Sequence, residues 1–206
     1  MTTAQAAGEH LARRHRDSAT LDDLGPSLLD FAELSRTDDW SLRSALVRLA
    51  QPEPVRVSQV LEVVRRVEAA LAPLRRALER HSVLCDRAAS ASTVAGPPQD
   101  PYPDMRVADL ARLVSESPSD LDAVVTGYES LAPLADEERL ALSLLVVVLD
   151  LDHLADVLAA WAASGPFDPP VSTVDDTLGR CVASLDALGV PREEDVRPPR
   201  GRRTRA

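Results

Sequence analysis

Val57, Val60, Val64, Val67, Leu71, Leu74, Leu78, His81 and Cys85 recur at alternating steps of three and four residues. That period puts all nine on one face of a helix, whereas a strand would scatter them over both of its faces. Arg65, Arg66, Arg75, Arg76 and Arg80 fall off the stripe, as a solvated face requires. Pro73 also falls off it, but a proline inside a helix removes a backbone donor and costs about 3 kcal/mol. Residues 56–90 are therefore expected as one kinked helix, or as two helices meeting near Ala72. The stripe serves either as one wall of an intramolecular bundle or as a homodimer seam built from Val57, Val60, Val64, Val67, Leu71, Leu74 and Leu78.

Other segments repeat the helical pattern more weakly. A first helix is expected near residues 3–16. A short one opens at Pro26 with Leu28, Phe31, Ala32 and Leu34 on one side. Thr37, Asp38 and Asp39 cap another, carrying Trp40, Leu42, Ala45, Leu46 and Leu49. Further on, helices are expected near 105–115 and 118–131. A long helix near 136–163 is apolar nearly all round from Leu140 to Leu149, which marks it as central and buried. The last helix is capped at Ser172 or Thr173 and ends at Gly189 and Pro191. Aromatic residues make up only 3% of the chain, so the core must be leucine, valine and alanine. No alternating strand pattern stands out. The expected fold is all-α, a multi-helix bundle of about seven or eight helices, with room for two helical subdomains.

Pro97, Pro98, Pro101 and Pro103 crowd into seven residues and forbid helix there. Residues 91–104 are read as a linker or crossover loop. It divides a helical region at 1–90 from a second one at 105–191, and a basic tail, expected to be disordered, follows at 192–206. Charge follows the same divisions: residues 1–95 are balanced, 96–191 hold 4 Arg against 17 acids, and the tail holds 6 Arg against 3 acids.

Lys, Asn and Ile are absent. Their codons are AT-rich, so the expected source is a high-GC bacterium of the actinobacterial kind. Without lysine there is no Schiff-base chemistry and no lysine-bearing phosphate loop. No G-x-S-x-G elbow occurs, and no CxxC pair. Cys85 and Cys181 fall on apolar faces and are expected as small buried thiols. The N-terminal residues lack the apolar core of a signal peptide, and no apolar run is long enough to span a bilayer, so a cytoplasmic location is expected.

Two segments suggest chemistry. Asp150, Asp152, His153 and Asp156 lie three or four apart on the long helix. Such a set can bind a metal, but bundle metal sites draw ligands from several helices, and His10, His15 and His81 show no matching spacing. A solvated or salt-bridged face is the expected reading, with no metal and no cofactor. The second segment is Asp109-Leu110-Ala111-Arg112-Leu113-Val114, then Ser115-Glu116-Ser117, then Pro118-Ser119-Asp120-Leu121-Asp122-Ala123-Val124. It resembles a helix-turn-helix of the lac-repressor type, with Ser115 where that motif carries a glycine. The resemblance implies a second helix that reads DNA. That helix offers Asp120, Asp122 and Glu129 and no arginine, a face a phosphate backbone repels, so an ordinary helical hairpin is expected.

These features point to a non-enzymatic helical protein-interaction or regulatory module with a protein partner, and a homodimer is one such partner. A nucleic-acid-associated regulator would use Arg197, Arg200, Arg202, Arg203 and Arg205 of the tail. A metal-assisted enzyme would be built on Asp150, His153 and Asp156.

Overall fold

The computed structural model describes residues 2–17, 54–78, 82–86, 90, 92–99, 101–115, 120–164 and 171–192. The helices expected over 24–49 and the arginine-rich tail lie outside these residues. The described chain is helical: α1 (Thr3–Asp17), α2 (Pro54–Leu71), α3 (Arg75–Leu78), α4 (Arg106–Ser115), α5 (Leu121–Glu129), α6 (Asp136–Ser164) and α7 (Val171–Ala187), with strands β1 (Ser82–Asp86) and β2 (Pro101–Met105) between α3 and α4. The all-α multi-helix fold expected from periodicity is the fold found. No described helix is long and apolar enough to cross a membrane.

Each helix end has a local cause. Thr2 opens α1, its hydroxyl accepting a hydrogen bond from Gln5 N at 3.1 Å. The break before Pro73 ends α2 at Leu71, and a turn at 72–74 leads into α3. Glu138 accepts from Ala135 N at 2.9 Å, closing the first turn of α6 in the manner of a capping box. Gly189, at φ 68°, ends α7, and Val190 N donates back to Leu185 O at 3.0 Å, the hydrogen bond of a Schellman cap.

The hairpin corrects the expectation that the chain holds no strand. Cys85, the last residue of the stripe, leaves the helix in space together with Val83 and Leu84. They pair antiparallel with residues taken for a spacer, Cys85 opposite Tyr102 and Val83 opposite Asp104. Proline is tolerated in β2 because of where it falls. Asp86 N and Met105 N point out of the ladder to side-chain carboxylates, of Asp109 and Asp104 respectively. Pairs that include residues 82, 84 and 86 are thus the non-hydrogen-bonded ones, and Pro101 and Pro103 occupy them without removing a ladder donor.

Among the described residues the main apolar core runs through both halves of the chain, beside a small second cluster of Val83, Cys85 and Tyr102 on the hairpin. It joins Leu11 of α1, Val60, Val63, Val64, Val67 and Leu71 of α2, and Leu110 and Val114 of α4. It continues through Leu144, Leu145, Val148, Leu151 and Leu158 of α6 to Leu178 and Leu185 of α7. The central helix is α6, packed against α2, α4 and α7. Among the described residues, α1 crosses α5 in backbone contact. A Cβ on Gly8 would lie 2.1 Å from Val124 O, and one on Gly127 would lie 2.0 Å from Gln5 O. Only hydrogen at these positions lets the two backbones meet.

Candidate functional site

The α1–α5 crossing carries the last turn of α1 to the place where the hairpin meets α4. Polar side chains converge there inside the protein. His15 Nδ1 lies 2.9 Å from Tyr128 Oη, and His15 Nε2 lies 3.2 Å from Asp109 Oδ2. Asp109 accepts from Asp86 N through both oxygens, at 2.9 and 3.1 Å. Asp86 in turn takes Arg14 Nη1 at 3.4 Å and Gln99 N at 3.2 Å. On the hairpin, Tyr102 donates to Asp104 Oδ2 at 3.1 Å and Cys85 Sγ to Met105 O at 3.4 Å. Arg112 lies over the Tyr102 ring, 5.0 Å from its centre, with Nη1 buried and 3.7 Å from Asp109 Oδ1.

His15, Cys85, Asp86, Asp104, Asp109 and Tyr128 are all buried. Burial of a polar or charged group is costly unless partners compensate, and these groups bond to one another and to backbone amides. Burial, then the carboxylates of Asp109 and Asp104, push the Cys85 thiol well above its ordinary range, against a smaller pull from Arg112. Burial pushes the Tyr102 and Tyr128 hydroxyls up in the same way, so both stay protonated.

Sequence reasoning passed over this cluster because its members lie far apart in the chain. His15 pairs with residues 94 and 113 positions away. One signal was present: Gly8 and His15 fall seven apart, so a helix carries both on one face.

The residues singled out from sequence lie elsewhere. On α6, Asp152, His153 and Asp156 face solvent, and Asp150 is paired with Arg180 at 3.6 Å. Partial burial, then Asp156, raises the Asp152 carboxyl above its usual range. Val60, Val64, Val67, Leu71 and Leu78 are buried within this chain, and Leu74 packs beside them. The side chain of Val57 lies outside the described residues, as do Arg197, Arg200, Arg202, Arg203 and Arg205. In the segment that resembles a helix-turn-helix, α4 and α5 turn Leu110, Ala111, Val114 and Val124 into the core, while Asp120 and Asp122 face water. Cys85 and Cys181 are buried free thiols, as expected.

Comparison with protein-family models, with curated proteins and with solved structures gives no match to this chain.

Proposed function

We propose that this chain is a non-enzymatic helical module that works by binding another protein through its acidic second half. The supporting observation is the way polar chemistry is distributed between inside and outside. The convergent reactive groups, His15, Cys85 and Asp109, are sealed from solvent among the described residues. The outward positions of α5, α6 and α7 instead carry carboxylates: Asp122, Asp136, Glu137, Asp152, Asp156, Asp175 and Asp176 are all exposed. Exposed acids of one sign set up a field that steers and selects a basic partner.

A tagged copy purified from its own host at low salt is expected to bring down one basic protein in fixed ratio. Raising the salt, or replacing Asp152, Asp156, Asp175 and Asp176 together by Asn, is expected to release it. A chain that purifies alone as a monomer at every salt concentration removes this reading.

A further inference from the structure

A ring nitrogen of His15, Cys85 Sγ and an Asp109 oxygen lie within 4.8 Å of one another, and Nε2 is the nitrogen that faces Asp109, 3.2 Å from Oδ2. They come from α1, β1 and α4, and converge only when the first helix sits on the hairpin. We propose that His15, Cys85 and Asp109 bind a divalent metal ion of the zinc class, and that the ion fastens α1 to the rest of the fold.

The donor set argues for this class. Imidazole, thiolate and carboxylate together suit zinc and the softer divalent ions, whereas magnesium and calcium take oxygen ligands. The distances argue for a small tetrahedral ion. Bonds of about 2.0–2.3 Å place ligand atoms roughly 3.3–3.7 Å apart. The His15–Asp109 pair is already at 3.2 Å, and Sγ needs to close by only about 1 Å.

The surroundings have the form of an outer ligand shell. A ligating histidine ordinarily bonds a partner through its other ring nitrogen, and Tyr128 stands at Nδ1. A ligating carboxylate is ordinarily held by further donors, and Asp86 N holds Asp109.

Charge points the same way. Three carboxylates, of Asp86, Asp104 and Asp109, are buried around the site, and buried acids favour a cation among them.

Cobalt(II) titrated into the reduced full-length chain tests the site, because a tetrahedral thiolate–cobalt centre shows visible ligand-field bands and a near-ultraviolet charge-transfer band. We expect both to saturate at one cobalt per chain, and zinc to displace them. Cys85→Ser is expected to abolish the charge-transfer band, and Cys181→Ala to keep it. Tyr128→Phe is expected to keep the spectrum and weaken affinity roughly 10–100-fold, as loss of an outer-shell partner does. Absence of both bands in the unaltered chain overturns the proposal without reference to any variant. So does a charge-transfer band that survives Cys85→Ser, or one that disappears with Cys181→Ala.

Discussion

Cys181 sits on the buried face of α7 with no exposed surface. Burial, then the Asp150 carboxylate, raises its thiol from 9.0 to about 12, with Arg180 opposing. An acid whose folded-state value is raised holds its proton longer in the native state than in the unfolded one. Its contribution is therefore complete at neutral pH and is lost as pH climbs from about 9 towards 12, of the order of 3–4 kcal/mol across that window. Urea unfolding at pH 7, 9 and 10 is expected to show falling stability, with a flatter slope in Cys181→Ala. Equal slopes in the two proteins would refute the assignment. A second residue-scale contrast concerns Arg66, which is buried and donates to Asp186 Oδ1 at 2.6 Å and Val190 O at 2.7 Å. Arg192 and then Arg66 hold the Asp186 carboxyl below its usual range. Asp186→Ala leaves a buried cation without its counter-charge, whereas Arg66→Met leaves Asp186 at the surface with Arg192. The denaturation midpoint is expected to fall further in Asp186→Ala than in Arg66→Met, and the reverse order would contradict this account.

Among the elements, the α1–α5 crossing gives the sharpest test. Alanine at Gly8 or Gly127 would place a Cβ 2.0–2.1 Å from backbone carbonyl oxygen, which no side-chain movement relieves. Gly179 is also helical, but a Cβ there meets nothing within 4 Å. Gly8→Ala and Gly127→Ala are expected to destabilise by about 3 kcal/mol, while Gly179→Ala stabilises by about 0.5–1 kcal/mol through helix propensity. Opposite signs in chemical denaturation are the check. Elements also set the limit of what sequence could tell. The helices were legible because Val60, Val64, Val67 and Leu71, or Leu144, Leu151 and Leu158, repeat with the helical period and are buried accordingly. The hairpin was not, because Cys85 happens to extend the stripe of α2, and Pro101 and Pro103 read as loop. What decides β2 is the direction in which each backbone amide points, a property of pairing rather than of composition. The polar cluster was illegible for a related reason: Asp109 and His15 each look like an ordinary helical residue until the Gly8–Gly127 contact brings their helices together.

At the scale of the molecule, the question is whether the proline-rich segment separates two folding units. The core answers in terms of contacts: α2 packs on α6 and α7, and α1 packs on α5, so each half covers apolar surface of the other. Residues 105–192 alone would expose the apolar sides of α5, α6 and α7 that α1 and α2 cover in the whole chain. They would also leave Asp109 without His15 and Asp86 N. Burial of a leucine or valine side chain contributes about 1.5–3 kcal/mol, and a domain retains only about 5–15 kcal/mol in total, so losing several such contacts exceeds the margin. The 105–192 fragment is therefore expected to bind a hydrophobic dye and to melt without a cooperative transition. Co-expression with residues 1–104 is expected to restore a cooperative transition, because the two fragments together reconstitute both the core and the hairpin. A cooperative transition in the isolated fragment would mean that α6 and α7 complete a core with α4 and α5 alone, and that the segment around Pro97 and Pro98 joins two independent bodies.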